Sequence, residues 1–96
     1  MPKLDAAHRR NSLSPEAAFG RVLRTVRKSR SLSQDELGAR SGYHRTYIGQ
    51  LERGEKSPSL RTIFNLAATL HVKPSVFIQD TERLARFSSP AKPSAR

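Results

Sequence analysis

The strongest constraint on the fold of this chain is a helix-capping box that lies nine residues before a glycine. Ser33 can accept a hydrogen bond from the backbone N–H of Glu36, whose side chain reaches back to the N–H of Ser33, so a helix begins here. Gly42 ends that helix, because glycine adopts a left-handed conformation without steric cost. We expect Leu37 between them to be buried. A helix of about two turns followed by a glycine turn is typical of the first half of a helix-turn-helix.

Apolar residues at helical spacing predict four further helices, and no alternating pattern predicts a strand. These four begin at Ser14, Arg45, Ser59 and Lys73, and they end near Ser29–Ser31, at Gly54, at His71 and beyond Leu84. Ile48 and Leu51 would face inward from the third helix. The fourth carries Leu60, Ile63, Phe64, Ala67 and Leu70, and it stops at His71 where glycine or asparagine is the usual residue. The chain is therefore predicted to be all-α, a compact domain of five helices.

The charge of the chain indicates a polyanionic partner. Eighteen basic and eight acidic side chains among 96 residues give a formal net charge of +10, and arginines outnumber lysines 13 to 5. Residues 14–87 alone carry +6, so the excess is not confined to the ends. The arginine bias favours nucleic acid over an anionic membrane, because a guanidinium matches the geometry of phosphates and guanine edges.

Composition divides the chain and excludes several classes of protein. The absence of cysteine excludes disulfides, thiolate zinc sites and a cysteine nucleophile.

Residues 1–13 are basic and residues 88–96 are rich in serine and proline, so we expect a disordered N-terminal arm and a disordered C-terminal tail around a domain at 14–87. No apolar run is long enough to span a bilayer and no secretory signal is present, which predicts a cytoplasmic protein.

Nothing in the sequence predicts an enzyme, a metal site or a cofactor. His8, His44 and His71 do not have the spacing of metal ligands. The five glycines are scattered rather than gathered in a phosphate-binding loop.

Residues 32–54, LSQDELGARSGYHRTYIGQLERG, resemble the helix-turn-helix of the repressor and Cro-like (XRE-type) DNA-binding transcriptional regulators of bacteria and phages. The shared features are the capping box with Gln34, the turn at Gly42, the start at 45–48 and the end at 51–54, and the pattern extends over residues 19–80. This resemblance implies that the third helix enters the major groove of double-stranded DNA. Arg45, Thr46 and Gln50 would then read base edges, while Gly49 offers no side chain on that face.

The resemblance also implies contacts with the DNA backbone. Gln34 would bind a phosphate at the start of the second helix, and Arg53, Lys56 and Ser57 would grip the sugar-phosphate chain after the third. His44, the expected cap of the third helix, is a further candidate. Tyr47 either packs against the second helix or presents its hydroxyl to the DNA backbone. Arg27 is expected to pair with Glu52 and to fix the angle of the third helix.

Specific binding normally uses two half-sites, so we expect a homodimer. Phe77, Ile78 and Leu84 of the fifth helix exceed what packing on one face requires, and they form the predicted dimer interface. Two other hypotheses stay open: an antitoxin or interaction module that binds a protein such as a toxin or RNA polymerase, and a non-specific nucleic-acid binder. Binding to a membrane through the fifth helix is the least favoured, because its polar face is not strongly basic.

Overall fold

Five helices make up the part of the chain that the computed structural model describes, residues 13–85. They are α1 (Pro15–Ser29), α2 (Gln34–Ser41), α3 (Arg45–Glu52), α4 (Leu60–Thr69) and α5 (Pro74–Leu84). The all-α prediction is confirmed. The predicted N-terminal arm and C-terminal tail, and the last two residues of the predicted domain, lie outside the described residues, apart from Leu13, whose backbone forms a single bridge with Ala85. Among residues 13–85, none of the helices combines the length and the apolar character that crossing a bilayer requires.

The helix starts follow the capping residues of the sequence. Ser14, Ser33 and Ser59 each accept a backbone N–H from three residues ahead, at 3.0 Å in each case. The capping box at Ser33 is complete, because Glu36 accepts the N–H of Ser33 at 2.7 Å. These hydrogen bonds lower the pKa of Glu36 below its ordinary value. Donors that a helix start would leave unpaired are therefore satisfied locally.

Residues with left-handed backbone conformations follow α2 and α4. Gly42 ends α2 with φ at 86°, as the sequence predicts. His71 takes φ 59° after α4, although it is not glycine. The backbone N–H groups of His71 and Val72 bond to the carbonyls of Ala68 and Ala67 at 3.1 and 2.9 Å. These two bonds are the Schellman pattern, and they hold a histidine where glycine is usual.

The core differs from the sequence prediction at two phenylalanines. Phe77, predicted in the dimer interface, is completely buried and stacks on Phe19 with ring centroids 5.1 Å apart. Its assignment to an interface is therefore wrong, because α1 already covers it. Phe64, expected with the apolar set of the fourth helix, is 54% exposed, and Leu60 one turn earlier is also exposed. The remaining core residues come from α1 to α4 and from the segments that follow α1 and α4: Val22, Leu23, Leu32, Leu37, Ile48, Leu51, Leu66, Ala67 and Leu70.

The helix α1 packs against both α3 and α5 and so holds the two ends of the domain together. Its contact with α3 depends on Gly20. A Cβ atom at this position would overlap the carbonyl oxygen of Leu51 and would lie 2.5 Å from that of Glu52. The two helix backbones can approach this closely only because Gly20 has no side chain.

We therefore expect Gly20→Ala to destabilise the protein by about 1–3 kcal/mol, the usual cost of overpacking. In an open helix the same change stabilises by about 1 kcal/mol. Gly49→Ala is the matched control, since its Cβ would meet only the ends of the Arg53 and Gln34 side chains, at 3.1 and 3.5 Å. Urea denaturation measures both variants. Equal stability of the two variants would contradict the close approach of α1 and α3.

Candidate nucleic-acid interface

The helices α2 and α3 form a tight helix-turn-helix around Gly38. A Cβ at Gly38 would lie 2.5 Å from the carbonyl oxygen of Tyr43 and 3.3 Å from the backbone nitrogen of Arg45. Gly42 reverses the chain after α2, and the N–H groups of Gly42 and Tyr43 both bond to the carbonyl of Gly38. The start of α3 is therefore pressed against the middle of α2.

A buried ion pair fixes the end of α3. The Nε and Nη2 atoms of Arg27 donate to the two carboxylate oxygens of Glu52 at 2.6 and 2.9 Å. The side chains of Arg27 and Glu52 are only 8% and 2% exposed. Nη1 of Arg27 donates to the carbonyl of Leu32 at 2.9 Å, so the guanidinium also holds the segment before α2. The hydrogen bond to Glu52 raises the pKa of Arg27, although burial alone would lower it. The structure thus brings together the two residues that the sequence predicts as a pair.

Gln34 joins this ion pair instead of projecting freely from α2. Its Nε2 donates to Oε1 of Glu52 at 3.0 Å, and the side chain is half-buried. An amide nitrogen carries two hydrogens, so one N–H remains for another acceptor. Glu52 therefore accepts hydrogen bonds from α1 and α2, and it ties the beginning of α2 to the end of α3. Throughout the part of the chain that the structure describes, no buried side-chain nitrogen or oxygen lacks a partner.

The predicted base-reading residues occupy the side of α3 away from the core. Arg45 and Thr46 are exposed at the start of the helix, and Gln50 is half-buried one turn later. Gly49, expected on the same face, is buried beneath the side chains of Arg53 and Gln34. That expectation is wrong, because the face of α3 at Gly49 turns toward the beginning of α2.

The candidate backbone-binding residues occupy three different environments. His44 caps α3, and its Nδ1 accepts the backbone N–H of Thr46 at 3.0 Å. Arg53 donates from Nε and Nη2 to the carboxylate of Glu55 at 2.7 and 3.3 Å, in an exposed pair. The hydrogen bond from Arg53 lowers the pKa of Glu55 below its ordinary value. Lys56 and Ser57 are exposed in the loop between α3 and α4.

Tyr47 is partly buried and packs against the core, in keeping with the packing role among its two predicted ones. Its ring lies 5.3 Å from that of Tyr43, and its hydroxyl is 3.5 Å from Oγ1 of Thr62 on α4. Thr62 is buried, and the hydroxyls of Ser59 and Tyr43 also reach its Oγ1, at 3.0 and 3.4 Å. This hydroxyl cluster connects the first half of α3 to α4 on the side of α3 that faces the domain. Sequence reasoning did not identify Thr62.

Asp35 is a second residue that sequence reasoning missed. Its carboxylate lies 3.7 Å from Nη1 of Arg45, and both side chains are about two thirds exposed, at 68% and 64%. The contact joins two helices whose relative orientation is set by Gly38 and by the turn at Gly42. No spacing within one helix signals such a contact, because the two residues belong to different helices.

Comparison with known proteins places this geometry in a family. The family model described as Helix-turn-helix (HTH_3) matches residues 23–77. The control protein C.BamHI of Bacillus amyloliquefaciens is 38% identical over 64 residues, which cover 66% of this chain and 79% of that protein. An uncharacterised HTH-type transcriptional regulator of Sinorhizobium fredii is 35% identical over 57 residues, covering 59% of this chain and 74% of that protein. The crystal structure of the restriction-modification controller protein C.AhdI from Aeromonas hydrophila matches with a TM-score of 0.62 at 39% identity, covering 64% of this chain and 88% of that chain.

The buried pair generates a stability prediction. Glu52→Ala leaves the guanidinium of Arg27 uncompensated, and we expect a loss of about 3–5 kcal/mol in the free energy of unfolding. Glu55→Ala is the matched control, because it removes a carboxylate bonded through the same two guanidinium nitrogens, but at the surface, and it should change the stability little. Chemical denaturation of both variants provides the comparison. A double-mutant cycle that shows no coupling between Arg27 and Glu52 would refute the role of the pair.

Proposed function

The chain belongs to the helix-turn-helix family of DNA-binding transcriptional regulators, and we propose that it binds a specific double-stranded DNA operator as a homodimer. In this proposal α3 lies in the major groove of each half-site. The observation that supports it most strongly is the bonding of Glu52 to Arg27 and Gln34, which fixes both ends of the helix-turn-helix. The first turn of α3 is left exposed by that arrangement, and this is the part of a recognition helix that contacts bases.

The residues on the outward side of α3 have the chemistry that base reading requires. Arg45 can donate two hydrogen bonds to O6 and N7 of guanine, and Gln50 can pair with N6 and N7 of adenine. Thr46 can bond to a base edge or contact the methyl group of thymine. In our proposal these three residues set the sequence preference.

In our proposal, the residues that flank α3 bind the phosphates of the DNA backbone. Lys56 and Ser57 are exposed just beyond the helix, where phosphates of a bound duplex would pass. Arg53 has a guanidinium whose bonds to Glu55 are exposed, so a phosphate can replace the carboxylate. Gln34 keeps one amide hydrogen for a phosphate while the other stays on Glu52. His44 is exposed at the start of α3, and its Nε2 is not used by the cap.

The homodimer proposal rests on exposed apolar side chains of α4 and α5. Ile78 is 43% exposed and lines the same shallow depression as Phe64, with Pro74 one turn before Ile78. Leu84 is also partly exposed but lines a different groove, with Val22 and Val26 of α1. The predicted interface residues therefore do not form one patch, and we place the centre of the interface at Ile78 and Phe64. A polar surface seldom exposes neighbouring apolar side chains of this size unless they meet a partner.

The role in gene regulation that we favour is that of a restriction-modification controller. C.BamHI and C.AhdI are named as control or controller proteins, and this chain covers 79% and 88% of their respective lengths. A gene for a DNA methyltransferase or a restriction endonuclease beside the gene for this chain would support that role. A toxin gene in the same place would favour the antitoxin alternative.

Base reading and phosphate binding make opposite predictions for single substitutions. Arg45→Ala and Gln50→Ala should each cost about 1–3 kcal/mol on the operator and relax the preference at one or two base pairs. Lys56→Ala should weaken binding to operator and random duplexes alike and reduce the salt slope by about one. The difference arises because phosphates are the same in every sequence and base edges are not.

Binding curves on matched and base-substituted duplexes at several salt concentrations measure these effects. An operator is first selected from a random DNA pool. A uniform loss of affinity on all sequences for Arg45→Ala and Gln50→Ala would remove α3 as the reader. In that case the non-specific binding hypothesis would replace our proposal.

The interface is tested by sedimentation at micromolar concentration, where we expect twice the chain mass. Ile78→Asp should give a monomer with unchanged melting, because Ile78 is outside the core, and should weaken operator binding. Leu84→Asp is the matched control from the other groove and should remain dimeric. A monomeric wild type, or loss of the dimer in Leu84→Asp alone, would contradict the interface at Ile78 and Phe64.

A further inference from the structure

An acidic side chain lies beside the first base-reading residue, where it opposes binding to a polyanion. Asp35 is two thirds exposed, and its carboxylate is 3.7 Å from the guanidinium of Arg45. On a surface that approaches phosphates, an unneutralised carboxylate weakens binding to every sequence. We propose that Asp35 is a positioning residue that directs Arg45 toward the base edge and so determines specificity. This inference rests on the proposed function of α3.

The backbone of the helix-turn-helix brings the two residues together. Asp35 lies three residues before Gly38, so both are on the same face of α2. Gly38 is the point of closest approach to α3, since a Cβ there would meet the backbone nitrogen and Cα of Arg45 at 3.3 and 3.5 Å. One turn closer to the start of α2, the same face carries Asp35 up to the side chain of Arg45. The contact is therefore a consequence of the packing and does not depend on a flexible loop.

The chemistry of the guanidinium allows both interactions at once. Arginine carries five N–H donors in a planar fork, and a bidentate contact with guanine uses two of them. The carboxylate of Asp35 can interact with one edge of the Arg45 guanidinium while the N–H groups of another edge point into the DNA groove. This reduces the number of orientations that Arg45 must lose when it binds, and fewer lost orientations raise the affinity for the matching base.

The carboxylate also disfavours a competing contact. A flexible arginine at the start of a recognition helix can bind the nearest phosphate, and that contact is equally available on any sequence. The negative charge of Asp35 repels a phosphate that approaches the shared position. Arg45 therefore contributes less to the binding of random DNA than to the binding of a duplex with guanine in the correct place. Asp35 lowers the affinity for random DNA and so increases the preference for the matching sequence.

A role in helix stability is the alternative explanation. Asp35 is the second residue of α2, where a negative charge interacts favourably with the helix dipole. Glu36, the next residue, provides a matched control for this effect. Glu36→Gln removes the same charge from the same turn and keeps a side chain that completes a capping box. Glu36 bonds to Ser33 and not to Arg45.

The experiment compares base preference in wild type, Asp35→Asn, Glu36→Gln, Arg45→Ala and the double variant D35N/R45A. The operator selected by the wild type is substituted one base pair at a time, and each duplex is titrated at fixed salt. For Asp35→Asn we expect tighter binding to random DNA. We also expect loss of at least about fivefold preference at the base pair that Arg45 reads, the low end of what an arginine–guanine pair discriminates. Glu36→Gln should keep that preference, and adding Asp35→Asn to Arg45→Ala should not change it further.

Each contrary outcome has a separate meaning. If Asp35→Asn changes affinity equally on all duplexes, or if it still alters the preference in the Arg45→Ala background, Asp35 does not act through Arg45 and the inference is overturned. A change only in melting temperature, matched by Glu36→Gln, assigns Asp35 to helix stability. If the wild type selects no sequence, or Arg45→Ala leaves every preference intact, the proposed function itself fails.

Discussion

The carboxylate of Glu52 joins three helices at a point almost closed to water. It accepts two hydrogen bonds from Arg27 of α1 and one from Gln34 of α2, while its own backbone ends α3. A buried carboxylate is tolerated only when its charge and its lone pairs are satisfied, so these three residues stabilise one relative arrangement of their helices. The absence of a side chain at Gly20 brings α1 against the same end of α3. The orientation of α3 therefore depends on this pair and on the glycine beside it.

Around α3, basic side chains at the surface lie next to acidic ones. Asp35 lies beside Arg45, and Glu55 is bonded to Arg53. Lys56 adds a positive charge next to the second pair. Acidic partners reduce the attraction to phosphates that a basic chain offers to any nucleic acid. Such a surface is better suited to discriminating among sequences than to binding them all, which agrees with a regulator more than with a non-specific binder.

Local signals in the sequence predicted the helix starts, the turn at Gly42 and the general position of each helix, because capping depends on residues three positions apart. The family resemblance supplied the pairing of Arg27 with Glu52. Local signals do not predict which of several consecutive apolar residues on a helix enters the core. Residues 76–78 are all apolar, and it is the packing of α5 on α1, where Phe77 stacks on Phe19, that places Phe77 in the core. Ile78 and Leu84 are six residues apart on α5, which at 3.6 residues per turn separates them by roughly 120° around the helix, so they line different grooves. The contact between Asp35 and Arg45 required the angle between two helices, which the glycine at position 38 sets.

Methylation protection at guanine N7 tests most directly whether α3, held by Glu52, reads the major groove. Dimethyl sulfate modifies this atom on the major-groove edge, where Arg45 is placed by our proposal. We predict protection of guanines in two half-sites whose centres are about 10 base pairs or a multiple apart. Protection should be lost in Arg45→Ala and retained in Lys56→Ala at saturating protein. Unprotected guanines in a saturated wild-type complex, or protection that Arg45→Ala leaves intact, would contradict the account.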